Sequence, residues 1–201
     1  MDVIFLPYYL PLLRQNQILI FKPLTIILII LIAIIFPSSE PNYKIFIVAG
    51  LLFSLFGDTF LIFSEQHFKK GLIAFLIGHI CYITAFIVSM EFQITYWIFL
   101  PIAAAGVIYL KYILLYSGKM GVPVSIYIAI IAFMGWVALE RFNSLPIYGT
   151  FLTAIGAILF MISDAVLAWN KFRKPFISAE LIILITYFTA QWLLAVSVIS
   201  N

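Results

Sequence analysis

Residues 44–64 read KIFIVAGLLFSLFGDTFLIFS, an apolar run whose ionisable side chains are Lys44 at its first position and Asp58 deep inside it. Roughly 20 mostly apolar residues is the length at which an α-helix crosses the hydrocarbon core of a bilayer. The run predicts a transmembrane helix. It also predicts a carboxyl within that helix, at a cost of about 2.5–3.5 kcal/mol on insertion scales.

The rest of the chain has the same character. Hydrophobic residues make up 65% of it, charged residues 9%, and mean hydropathy is +1.19. Soluble domains carry roughly 25% charged residues, so this chain could not cover an aqueous surface. Further spans are expected at residues 18–36, 71–90, 94–116, 121–141, 146–169 and 176–200. Residues 2–13 are apolar but short and carry Pro7 and Pro11, which reads as an interfacial stub or truncated helix. No polar stretch between the runs is long enough for a soluble domain. The expectation is one all-α, polytopic transmembrane bundle over residues 1–201, with seven full spans and a short N-terminal segment.

Charge placement sets the orientation. Arg14, Lys22, Lys69, Lys70, Lys111, Lys119, Lys171, Arg173 and Lys174 fall on one side of the seven-span plan, and Lys44 and Arg141 on the other. By the positive-inside rule the N-terminus is cytoplasmic and the C-terminus outside, in a cell (inner) membrane. Met1 to Leu13 lacks the basic region and cleavage site of a removable signal. Cys81 is the single cysteine, which excludes a disulfide within the chain.

Spans 2 and 6 carry related text. Gly50 precedes Asp58 and Gly156 precedes Asp164 by the same interval, and Phe68-Lys69-Lys70 and Phe172-Arg173-Lys174 follow. Tyr82 and Tyr187 come later in each half, and Pro23 and Pro123 sit near the starts of spans 1 and 5. This reads as a 4+4 parallel internal repeat, as in other repeat-built membrane proteins.

Asp58, Asp164 and His79 all fall roughly 8–13 Å from the cytoplasmic boundary at 1.5 Å rise per residue. Three titratable side chains at one depth on three helices suggest a common cavity. Ser54 lies one turn from Asp58, Tyr82 one turn from His79, and Tyr187 and Gln191 share a face of span 7. Lys22 reaches the same layer or snorkels to the headgroups. His79, Ser54 and Gln191 also fit plain interhelical hydrogen bonding. Glu140-Arg141, at the outer boundary, reads as an interface pair. A carboxyl at matched depth in each half is poorly explained by packing.

Two carboxyls sharing one site titrate as a pair and, with one proton between them, present an acid and a base together. That suits protonation of one substrate atom and activation of water at the next. The donor set does not resemble a zinc site, since His79 is the one intramembrane histidine; no metal or cofactor is expected. No P-loop, dinucleotide fingerprint or nucleophile elbow occurs. The basic residues form a membrane rim, so nucleic acid is not an expected partner.

Taken together, Lys22-Pro23, Ser54-x-x-Gly57-Asp58, Phe68-x-x-Gly71-x-x-x-Phe75-x-x-x-His79-x-x-Tyr82, Pro123-x-x-x-Tyr127, Gly156-Ala157-x-x-Phe160-x-x-Ser163-Asp164 and Tyr187-x-x-Ala190-Gln191 resemble the lysoplasmalogenase (YhhN-like) family of membrane proteins. The resemblance implies an eight-helix plan and hydrolysis of the vinyl ether bond of lysoplasmalogens. The products would be a fatty aldehyde and glycerophospho-ethanolamine or -choline. It implies Asp58, Asp164 and His79 as catalytic residues, with Lys22, Ser54, Tyr82, Tyr127, Ser163, Tyr187 and Gln191 around the substrate. The implied partners are a lysophospholipid substrate and membrane lipid, with no obligate protein partner. A proton-coupled transporter of small molecules or lipids is the alternative, because buried carboxyls in parallel repeats also serve carriers. A lipid-binding or scaffolding protein is a third reading.

Overall fold

The computed structural model describes residues 6–63, 67–88, 90 and 94–199. Among these the chain is helical and contains no strand. In order the helices are α1 (Leu6–Ile35), α2 (Pro41–Phe63), α3 (Phe68–Val88), α4 (Tyr96–Ser117), α5 (Gly121–Ser144), α6 (Tyr148–Phe172) and α7 (Ala179–Ser197). Among the described residues five segments are long and apolar enough to cross a membrane: Pro41–Leu61, Phe68–Val88, Tyr96–Ser144, Tyr148–Phe172 and Ala179–Ser197. Ile20–Ile35 is a shorter apolar helix within α1.

Two boundaries differ from those read in the sequence. The expected stub and first span are one continuous helix of 30 residues from Leu6. Arg14 to Gln17 interrupt the apolar run but not the helix, because Arg and Gln are good helix formers and no glycine intervenes. Residues 2–5 of the expected stub lie outside the described residues. Pro41, read as part of a break, instead opens α2. At the first helical position its missing N–H has no intrahelical role, and its fixed φ suits the helix.

The 49-residue apolar segment Tyr96–Ser144 is interrupted by a 3₁₀ turn at Gly118–Met120. Gly118 has φ +49° and ψ −124°, a conformation that only glycine adopts without strain. There α4 ends, and α5 packs back against it.

The most extensively packed helix pairs are α2 with α3 and α6 with α7. Small residues make these approaches possible, as in other membrane bundles. A Cβ on Gly50 would lie 2.3 Å from the Tyr82 ring, and one on Gly156 would lie 3.2 Å from the Ala190 carbonyl oxygen. Gly50→Ala is therefore expected to push α3 from α2 and destabilise the fold by about 1–3 kcal/mol. The loss would be read as a lower midpoint in thermal unfolding of detergent-solubilised protein. The core runs through the middle of the bundle (Ile26, Tyr43, Leu51, Phe86, Met134, Phe160 and Leu194 among others), whereas the outer faces carry exposed Ile, Leu, Phe and Trp. Such an apolar exterior is matched to lipid rather than water.

Candidate active site

Helices α2, α3, α5, α6 and α7 each bring a polar side chain to one layer of this apolar bundle. From α2, Asp58 is 1% exposed and meets Lys22 of α1, whose Nζ lies 3.1 Å from Oδ1. Tyr187 of α7 donates its hydroxyl proton to Oδ2 of Asp58 at 2.6 Å. The Lys22 ammonium also lies 5.9 Å from the centroid of the Tyr187 ring. Asp58 is thus enclosed by a cation and a phenol. Lys22, 16% exposed, is committed to this carboxyl rather than extended to the headgroups.

Asp164 of α6, 8% exposed, has a different shell. Tyr127 of α5 donates to Oδ2 at 2.5 Å, and His79 Nε2 of α3 lies 3.5 Å from the same oxygen. His79 is 1% exposed, and Nε2 is the nitrogen it presents to Asp164. The imidazole stands edge-on to Tyr127 and Phe160, with centroids at 5.4 and 4.7 Å. Phe160 in turn packs at 5.4 Å against Tyr187, the phenol that holds Asp58. The two carboxyls therefore flank one aromatic wall.

Asp164 also lines an apolar cavity of about 300 Å³ between α4, α5 and α6. Its walls include Ile102, Tyr109, Tyr127, Ile131 and Met161, and Ile162 at its edge is exposed toward the bundle exterior. The volume is at the small end of the range for ligand sites. Asp58 does not line this cavity; Tyr127 is the one other expected site residue that does. Behind the wall, Tyr82 donates to Gln191 Oε1 at 2.6 Å, and Ser54 faces Tyr82, tying α2, α3 and α7 together. Ser163 turns away from the cavity and donates to the Ile183 carbonyl at 3.3 Å. Among the described residues no three His, Cys, Asp or Glu side chains converge.

The motif positions that build this layer also match a known family: the model described as the YhhN family aligns with residues 17–198. The chain belongs to the YhhN family. Similar proteins include lysoplasmalogenase TMEM86A of Homo sapiens, 38% identical over 162 residues, 77% of this chain and 65% of that protein. Lysoplasmalogenase TMEM86B of Homo sapiens is 32% identical over 165 residues, 82% of this chain and 68% of that protein. The membrane protein YhhN of Escherichia coli O157:H7 is 26% identical over 175 residues, 87% of this chain and 84% of that protein. The YhhN-family chain therefore spans just under two thirds of the human and bovine TMEM86A proteins that it matches. No solved structure matches it. With five long apolar segments and membrane-protein relatives, this YhhN-family chain is a multi-pass membrane protein.

Sequence reasoning missed two features of this member of the YhhN family. Tyr109, in the cavity wall, donates to the Ala165 carbonyl at 2.5 Å. Its signal was present as Tyr109, Tyr112 and Tyr116, spaced along one face of α4. The second is at the outer end, where Glu140 and Arg141 are 0% and 1% exposed rather than an interface pair at the boundary. Glu140 accepts the Thr95 backbone N–H at 3.2 Å and the Thr95 hydroxyl, holding the start of α4. Arg141 instead stacks at 4.3 Å on the ring of Tyr43, whose hydroxyl bonds Thr153 and Ser197. Adjacent residues on a helix point about 100° apart, so a sequence neighbour is a poor guide to an ion-pair partner.

Proposed function

We propose that the chain is an intramembrane lipid hydrolase that cleaves the vinyl ether bond of lysoplasmalogens by aspartate acid-base catalysis. One observation carries the reading: Asp164 stands in the wall of a lipid-facing apolar cavity, with Tyr127 and His79 on its inner side and a second carboxyl behind the same aromatic wall. The names of the TMEM86A and TMEM86B relatives support the substrate class.

The chemistry follows from the geometry. Protonated Asp164 gives its proton to the carbon β to the ether oxygen, and the π electrons form that C–H bond, leaving an oxocarbenium cation. Asp58, held by Lys22 and Tyr187 on the far side of the wall, is assigned the role of the ionised carboxylate that stabilises the developing positive charge. Water adds to the α carbon and yields its proton to the Asp164 carboxylate, forming a hemiacetal. The hemiacetal hydroxyl then loses its proton as the C–O bond to glycerol breaks and the departing oxygen gains one. Aldehyde and alcohol leave, and Asp164 is protonated again. Tyr127 and His79 hold the carboxyl in place; Tyr82, Gln191, Ser54 and Ser163 hold the helices that carry it.

The chain is proposed to cross the membrane seven times as a single domain, N-terminus cytoplasmic and C-terminus outside. At 1.5 Å per residue, Tyr96–Ser144 would be roughly 74 Å as one rod, far more than a ~30 Å hydrocarbon core, and its break at Gly118 supports two crossings. A 4+4 repeat is supported by the similar settings of Gly50 and Gly156 at close helix contacts and by cross-pairing between halves: Asp58 to Tyr187, Asp164 to His79. The pairing is not symmetric, because Tyr82 bonds Gln191 rather than Asp164.

The test is aldehyde release by purified protein from a lysoplasmenyl lipid and from its sn-1 ester analogue. Release is expected from the vinyl ether, and no fatty acid from the ester, because an ester lacks the protonatable carbon. Equal turnover of both, or of neither, would sink the assignment.

A further inference from the structure

Arg173, just beyond the end of α6, is outside the motifs that carry the family resemblance, and the reaction as written gives it no task. Its guanidinium carbon lies 4.5 Å from the Trp169 ring, 5.3 Å from Tyr116 and 5.5 Å from Tyr112. Arg173 is exposed, and a guanidinium held over aromatic rings keeps N–H edges available for a bidentate oxyanion. The ion pairs described, Lys22–Asp58 and His79–Asp164, leave Arg173 out.

The position of this cage relative to the cavity gives it meaning. On α4, Tyr109, Tyr112 and Tyr116 follow one face; on α6, Ala165, Trp169 and Arg173 do the same. Tyr109 and Ala165 both line the Asp164 cavity and are joined by the Tyr109 hydroxyl. The seam between α4 and α6 therefore leads from Asp164 toward the exposed Arg173 guanidinium. Trp169, which carries the guanidinium, is five residues beyond Asp164, about 7.5 Å along the helix axis. In a 1-alkenyl lysophospholipid five bonds separate the sn-1 ether oxygen from phosphorus, roughly 6 Å when extended. A reacting bond at Asp164 thus sets the phosphate at the level of the Trp169 ring, over which the Arg173 guanidinium lies. Two other cations are engaged elsewhere: Lys171 lies over the Phe68 ring at 5.2 Å, on the α3 side, and Lys22 is bound to Asp58.

We propose that Arg173, presented by Trp169, Tyr112 and Tyr116, binds the phosphate of the lysophospholipid and so fixes the depth at which the chain's vinyl ether meets Asp164. Arg173 is a specificity-determining residue, and the assignment rests on the hydrolase reading above. It makes the substrate class narrower: a single-chain lipid with a phosphate one glycerol away from the scissile bond.

The experiment compares wild type, Arg173→Gln, Arg173→Lys and Lys171→Gln as full-length protein in detergent. Two substrates are used, 1-alkenyl-glycero-3-phosphoethanolamine and 1-alkenylglycerol, which lacks the phosphate. Arg173→Gln is expected to raise KM for the phospholipid about tenfold to a hundredfold, the range of charge-assisted hydrogen bonds. Its kcat, and both constants for alkenylglycerol, should stay within about twofold of wild type. Arg173→Lys should recover part of the loss, since it restores the charge but not the fork; Lys171→Gln should behave as wild type. A second arm titrates the non-hydrolysable 1-alkyl ether analogue by tryptophan fluorescence, with and without inorganic phosphate. Weaker analogue binding by Arg173→Gln, undisturbed by millimolar phosphate, supports the proposal even if no aldehyde is released by any variant. In that case the hydrolase reading fails while the phospholipid site stands. Equal loss on both substrates, a fall confined to kcat, unchanged analogue binding, or displacement by free phosphate would overturn it.

Discussion

Asp164→Asn is expected to lower aldehyde release from a lysoplasmenyl lipid by at least about a hundredfold, with the protein still folded. General acid–base catalysis by a positioned side chain is worth about 10²–10⁴ in rate. The amide cannot give a proton to carbon or take one from water. Yet it matches the carboxyl in shape, and its oxygen still accepts the Tyr127 hydroxyl that now reaches Oδ2. The loss should therefore fall on kcat, with KM for the lipid near wild type and the unfolding midpoint changed little. Steady-state aldehyde release and thermal unfolding, measured on the same preparation, separate the outcomes. Residual activity above about a tenth of wild type would remove Asp164 as the acid. A collapsed midpoint would instead make it a packing residue. The transporter alternative predicts neither turnover nor its loss.

How much of this could be read from the sequence depends on the length scale. The all-helical character follows from long apolar runs, because a bilayer requires each backbone donor and acceptor to be satisfied within its own segment. The polar layer is legible too. A lone Asp58 in an apolar span, with Asp164 and His79 at equal depth, is costly enough to stand out against packing noise. What the sequence does not carry is which side chain meets which. Lys22 lies equally well with the headgroups or in the bundle, and the rotation of α1 against α2 and α7 decides for Asp58 and Tyr187. The inequality of the carboxyls is likewise tertiary: both lie in similar text, but the α4–α5–α6 cavity opens beside Asp164 alone. Arg141 shows the opposite failure. Its sequence neighbour Glu140 suggested a surface pair, and burial against Tyr43 is invisible without the helix azimuth.

Lys22→Met is the substitution expected to damage stability most, by about 3–5 kcal/mol, the range for removing one partner of a buried ion pair. It leaves Asp58, 1% exposed, with the Tyr187 hydroxyl as its remaining described partner. The converse change is milder. In Asp58→Asn the freed ammonium, on a flexible stem and 16% exposed, can turn outward and be solvated, whereas the Asp58 carboxylate has no such escape. The double variant Lys22→Met/Asp58→Asn should recover much of the single lysine loss, because the uncompensated charge is gone; a coupling of about 2 kcal/mol or more is expected for groups in direct contact. Denaturant unfolding of all four proteins in one detergent gives the cycle. If Lys22→Met costs less than about 1 kcal/mol, then Asp58 carries its proton in the resting protein and no ion pair exists. Asp58 would then be a second candidate acid rather than a fixed anion. The assignment of the two aspartates thus turns on the lysine, a residue that does not line the Asp164 cavity.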